Sequence, residues 1–66
     1  MLPWMAALRS GDILGFSGTE KGKTTHVGLY VGNGEFIHSS SSGVRISDLA
    51  NPYWQQHFIA ARRIVR

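Results

Sequence analysis

Hydrophobic and polar residues alternate in short runs along this chain, and Gly, Ser and Asn separate the runs. After a Ser10-Gly11-Asp12 turn, Ile13-Leu14-Gly15-Phe16 predicts a short strand. Thr25-His26-Val27-Gly28-Leu29-Tyr30-Val31 is rich in β-branched and aromatic residues and predicts a second. Gly32-Asn33-Gly34 is a hairpin signal, and Glu35-Phe36-Ile37-His38-Ser39 is the returning strand. Ser40-Ser41-Ser42-Gly43 is a turn before Val44-Arg45-Ile46, a short strand with Val44 and Ile46 on one face. Ser47-Asp48-Leu49-Ala50 has the look of a short helical start capped by Ser47 or Asp48, which Pro52 interrupts or restarts. Tyr53 to His57 is a helical turn, and residues 58–65 form a last strand. The expected fold is mainly β: a small antiparallel sheet of four to five strands with one short helix.

The hairpin register decides which side chains share a face. A two-residue Asn33-Gly34 turn sets Leu29 opposite His38 and places His26 and His38 on opposite faces. A three-residue Gly32-Asn33-Gly34 loop sets Val31 opposite Glu35 and Gly28 opposite His38. His26, Gly28, Tyr30, Phe36, His38 and Ser40 then share one face, and Val27, Leu29, Val31, Ile37 and Ser39 take the other. The second register segregates the aliphatic residues better and is the one expected. It makes the two histidines diagonal neighbours, and Gly28, lacking a side chain, leaves room for the His38 ring.

Composition narrows the class. A chain of 66 residues makes one domain at most and buries only about 60% of the surface that its unfolded form exposes. A meander this small has two faces and little to cover either. The apolar opening, residues 1–9, is expected to dock on one face. No basic residue precedes its apolar run, so no secretory leader is predicted. There is no cysteine, which excludes disulfides, thiolate metal sites and a cysteine nucleophile within these residues. The net charge of +3 suits an anionic partner without choosing among wall polymer, nucleic acid and lipid. Lys21, Lys23, Arg62, Arg63 and Arg66 read as a solvated face, although Arg62 and Arg63 point to opposite faces and one of them can be structural. Tyr53 and Trp54 read as core or rim packing. Gly18 to Thr24 is one residue short of a phosphate loop and precedes no helical pattern, so no phosphate site is predicted.

The informative chemistry is His26 and His38, twelve residues apart. Three readings stay open on the residues alone. They are two strand histidines without a role, a metal site lacking a nearby third ligand, or a general base beside a partner that fixes its tautomer.

Several stretches resemble a known family. They are residues 10–16, His26-Val27-Gly28-Leu29-Tyr30-Val31-Gly32-Asn33-Gly34, Glu35-Phe36-Ile37-His38-Ser39-Ser40, Gly43-Val44-Arg45-Ile46-Ser47, Pro52-Tyr53-Trp54 and residues 61–65. In order and spacing the chain resembles the C-terminal half of the NlpC-type cell-wall endopeptidase family, a branch of the papain-like cysteine peptidases. The resemblance implies half of an α+β papain-like domain, with residues 10–66 as its sheet half. It also implies that His26 is the general base and His38 its orienting residue. The substrate it implies is a peptidoglycan stem peptide, cut between γ-D-glutamate and a diamino acid. Location outside the cytoplasm, in the periplasm or at the cell envelope, follows from the same likeness.

The chain departs from the family in lacking the Asp-Cys-Ser-Gly nucleophile motif, and it is expected to be inactive by itself. Ser39 to Ser42 do not replace the thiol, because no strained nucleophile turn surrounds them. No cofactor and no metal are expected. Without the cysteine-bearing helix the histidine face is expected to be open, to be covered by Leu2, Trp4, Met5 and Leu8, by a cysteine-bearing N-terminal half, or by a second copy. A non-catalytic wall-peptide-binding module is the alternative. A small basic nucleic-acid-binding β-domain is the weaker one, because no Lys or Arg is expected on the histidine face.

Overall fold

The computed structural model describes residues 3–18 and 22–63. The elements are α1 (Pro3–Ala6), β1 (Ile13–Ser17), β2 (Thr24–Gly32), β3 (Glu35–Ser40), β4 (Gly43–Asp48), α2 (Pro52–His57) and β5 (Phe58–Arg62). All five strands make one antiparallel sheet in the order β4-β3-β2-β1-β5. The first four form a meander. Helix α2 then carries the chain back across the sheet, so that β5 pairs with β1. The expected end of the last strand, from Ile64 on, lies outside the described residues. No helix among the described residues is long and apolar enough to cross a membrane.

Cap chemistry explains where α2 begins. Asn51, not Ser47 or Asp48, is the N-cap, and its side chain accepts a hydrogen bond from Tyr53 N at 2.9 Å. Pro52 opens the helix, where a missing N–H costs nothing. Ser47 and Asp48 stay in β4 because they pair with Phe36 and Glu35. Asp48 Oδ1 instead accepts from Ala50 N at 2.8 Å and turns the chain off the strand.

The β2–β3 hairpin has the expected pairing of Gly28 with His38, but reaches it by another route. Leu29 pairs with Ile37 and Tyr30 with Phe36, and Gly32, not Val31, then pairs with Glu35. Asn33 and Gly34 both have positive φ, 56° and 76°, which is the two-residue turn whose twist suits a hairpin. A bulge between Tyr30 and Gly32 absorbs the extra residue, and Gly32, at φ 96°, takes the strain there. The Tyr30 hydroxyl accepts from Gly34 N at 2.9 Å and ties the turn back to the sheet.

The buried face is the one that carries the histidines. Leu14, Phe16, Tyr30 and Phe36 lie there with Met5 and Leu49, and Leu8, Trp54, Phe58 and Ala61 pack around them. Of the residues expected to cover this face, Met5 is in the core and Leu8 packs against it. Leu2 and the Trp4 side chain lie outside the described residues. The space at Gly28 is filled by Phe36 rather than by an imidazole. A Cβ there would lie 2.6 Å from Phe36 Cδ2 and 3.2 Å from the Ile37 carbonyl oxygen.

One ion pair closes the fold at the other end. Asp12 is 3% exposed. Arg63 grips it with two hydrogen bonds, Nε to Oδ1 at 3.0 Å and Nη2 to Oδ2 at 3.0 Å. Arg9 N donates to Oδ2 at 2.9 Å, and Arg63 Nη2 also reaches the Ala7 carbonyl at 3.0 Å. Arg63 is thus the structural member of the Arg62-Arg63 pair, joining the N-terminal segment to the end of β5. Its hydrogen bonds, then that of Arg9, hold the Asp12 carboxyl below the usual carboxylate range.

Candidate active site

Strands β2, β3 and β4 place three polar side chains in a row on the inner face. His26 stands opposite Phe16, near the start of β2. His38 stands opposite Gly28 on one side and Arg45 on the other. Ser47, two residues beyond Arg45, falls on the same face by strand periodicity. His26 Nε2 lies 2.8 Å from His38 Nδ1, and His38 Nε2 lies 2.6 Å from Ser47 Oγ. The three groups form a continuous hydrogen-bonded chain.

Aromatic rings fix this chain in place. The Trp54 indole stacks on His26 with ring centroids 5.7 Å apart and meets His38 edge-on at 4.9 Å. Phe36 lies 4.9 Å from His38 on the core side. Helix α2 therefore acts on the site by aiming one residue, Trp54, at both histidines.

The chemistry follows from which nitrogens are engaged. Both His38 nitrogens are used, Nδ1 by His26 and Nε2 by Ser47, whereas among the described residues His26 is bonded through Nε2 only. His38 is 7% exposed, and burial, then the neighbouring His26 and Arg45 charges, lowers its pKa. A neutral His38 can accept a hydrogen bond from His26 Nε2–H at Nδ1 while donating its own Nε2–H to the Ser47 hydroxyl oxygen. His26 Nδ1 then carries a lone pair, which is what a general base requires. The same commitments leave His38 no lone pair for a metal, and the described residues contain no cluster of three or more His, Cys, Asp or Glu.

The row ends in an open cleft of about 560 Å³, lined by His26, His38, Arg45, Ser47, Tyr53 and Trp54, with Thr25, Ser40, Ser17 and Gly18 at its edges. Ser40 is spent on the β3–β4 turn, donating to the Gly43 carbonyl at 2.9 Å. His57 stands apart from the pair. Its Nδ1 donates to the Ser17 carbonyl at 2.9 Å, and its ring packs 4.3 Å from Tyr53, so it fastens the end of α2 to β1.

The structure brings His26 and His38 together as the preferred register required. Two cleft residues escaped the sequence reading. The sequence reads Ser47 or Asp48 as a helix cap, whereas Ser47 lies in the cleft, and Arg45 occupies the histidine face on which no Lys or Arg is expected. The missing signal was the second turn: once Ser40 pairs with Gly43, Arg45 must face His38 and Ser47 must face Phe36.

Comparison with known proteins gives a consistent picture. The model of the NlpC/P60 family matches residues 5–63. The chain is 43% identical over 60 residues to the murein DD-endopeptidase MepH of Escherichia coli, covering 88% of this chain and 22% of that protein. It is 48% identical over 56 residues to the bifunctional muramidase/DL-endopeptidase CwlT of Bacillus subtilis, covering 83% of this chain and 17% of that one. The chain thus spans a minor part of the relatives it matches. Among solved structures it superposes on a Staphylococcus aureus protein described as similar to an NLP/P60 lipoprotein. There the TM-score is 0.78 at 33% identity, over 94% of this chain and 21% of that one. An NlpC/P60 protein of Bacillus cereus gives a TM-score of 0.74 at 36% identity, over 85% of this chain and 19% of that one.

Proposed function

Because the chain belongs to the NlpC/P60 family, we propose that it is the base-bearing sheet half of a peptidoglycan cysteine endopeptidase, with the nucleophilic thiol on a segment outside these 66 residues. On this reading residues 10–66 form the sheet half and residues 1–9 cover its inner face.

His26 Nδ1 takes the proton of the incoming thiol, and the thiolate attacks the carbonyl carbon of a stem-peptide amide. His26, now protonated, gives that proton to the leaving amine. His38 holds the imidazole in the useful tautomer by accepting from Nε2, and Ser47 holds His38. The substrate is a wall stem peptide, cut at the amide between γ-D-glutamate and a diamino acid. A cysteine-bearing N-terminal half is the partner that completes the site.

The observation that carries this reading is the His26–His38–Ser47 chain at the edge of an open cleft. The test is reconstitution. A γ-D-glutamyl stem peptide is incubated with the 66-residue chain alone, and with that chain joined to the cysteine-bearing half of a relative. Cleavage only by the joined protein, lost with His26→Ala, supports the reading. Thiol-independent cleavage by the 66-residue chain alone contradicts it.

The lack of cysteine in these 66 residues favours a second reading, a module that holds wall peptides without cutting them. It requires tight peptide binding by the isolated chain and a joined protein that stays inactive.

A further inference from the structure

Arg45 is the one fixed charge among the described residues that line the cleft, and no Asp or Glu lines it there. It pairs directly across from His38, so its side chain rises from the same face within one strand spacing of the histidine pair. The contrast with Arg63 is informative. Arg63 is held by the buried Asp12 carboxylate, whereas no carboxylate of the described residues engages Arg45. Glu35 and Asp48 face each other at the far end of the β3–β4 pair, and Asp48 Oδ1 is already used by Ala50 N. A strand position that faces the cleft therefore presents a guanidinium that no carboxylate of the described residues holds.

We propose that Arg45 is a specificity-determining residue that binds a free carboxylate beside the scissile amide, so that the site takes acidic stem peptides in preference to those whose carboxylate is capped as an amide. The inference rests on the peptidase reading above and deepens it. A γ-linked glutamate uses its side-chain carboxyl in the amide that is cut. Its α-carboxylate is then left free a few bonds from the reacting carbonyl. His26 and Arg45 line the same cleft, so a peptide whose reacting carbonyl sits near His26 brings that carboxylate into the cleft that Arg45 lines. The planar guanidinium matches a carboxylate with two parallel hydrogen bonds. A carboxamide in the same place turns an N–H toward the donor fork and loses both the charge and one acceptor. Arg45 also adds to the forces that lower the His38 pKa, so neutralising it with a bound anion raises that pKa.

The test needs no thiol. The isotope-labelled 66-residue chain is titrated with L-Ala-γ-D-Glu-L-Lys, its C-terminus amidated, and with the same peptide carrying D-isoglutamine, so that the two differ in one carboxylate. The free acid is expected to bind about five- to tenfold more tightly, as suits a half-enclosed charged pair. It should perturb the His26 and His38 ring signals and raise the His38 pKa. Arg45→Gln brings the acid down to the affinity of the amide and leaves the amide unchanged, and Arg45→Lys restores part of the difference. The amide spectrum of each variant checks that the fold is kept. Equal affinity for both peptides, with the histidine signals moving, overturns the role of Arg45 and leaves the peptidase reading standing. If neither peptide moves the histidine signals, both are overturned.

Discussion

On the inner face of the sheet, Leu14, Phe16, Tyr30 and Phe36 are buried around His38, whereas on the outer face Val27, Leu29, Val44 and Ile46 are exposed. The outer residues are as apolar as the inner ones, and Val44 is 76% exposed. Hydrophobicity alone therefore does not choose the buried face. The choice is made by the elements that cross it: α2 with Trp54, the turn with Leu49, and the N-terminal segment with Met5 and Leu8. The polar residues on the inner face gain from this. Burial lowers the His38 pKa and so favours the neutral ring, the form that can accept a hydrogen bond from His26.

Substitutions on the two faces test this contrast directly. Phe36→Ala is expected to cost the most, about 3–5 kcal/mol, because its ring packs against Phe16, His38 and Trp54 at once. Urea denaturation measures it, and in so small a domain the variant is expected to be largely unfolded. Gly28→Ala is next, at about 1–3 kcal/mol, since the new methyl group meets Phe36 at 2.6 Å. The paired variant Phe36→Leu should relieve part of that cost.

The Asp12–Arg63 fork gives a pH signature. Its lowered carboxyl pKa means that the folded state binds a proton less readily than the unfolded one. The stabilisation is fully present above the unfolded value of about 3.9 and is lost as the pH falls through the lower folded value. Asp12→Asn should weaken the fold at neutral pH and flatten the acid limb of a thermal-melting profile. His38 acts in the same sense at higher pH. Its lowered pKa makes stability decline as the pH drops below the unfolded value of about 6.5 and through the folded value. His38→Gln should remove that decline. The smallest effect is expected on the outer face, where Val44→Ser should change stability by no more than about 0.5 kcal/mol. A loss of several kcal/mol there would mean that the outer face is not free.

Much of this contrast was legible in the chain. The strands and turn glycines follow from alternation and hairpin chemistry, and the Gly28–His38 pairing from the segregation of the aliphatic residues, whereas the two-residue turn and bulge that produce it do not. What alternation lacks is a label for inside. Both faces of β2 offer apolar residues, and only distant segments decide between them. The site was half legible for the same reason. His26 and His38 stand on one hairpin, where a bulge beside the turn sets their register, whereas Ser47 reaches His38 from a third strand through a turn of serines that carries no strong type preference. Trp54 was legible as packing, but its contact with both rings depends on how α2 crosses the sheet.

The central claim is that His38 accepts a hydrogen bond from His26 and so leaves His26 Nδ1 free as a base. Nitrogen chemical shifts of the histidine rings, recorded at neutral pH, test it most directly. The account predicts that both His26 and His38 carry their proton on Nε2. Protons on Nδ1 of both rings would reverse the direction of the chain, occupy the nitrogen assigned as the base, and contradict it.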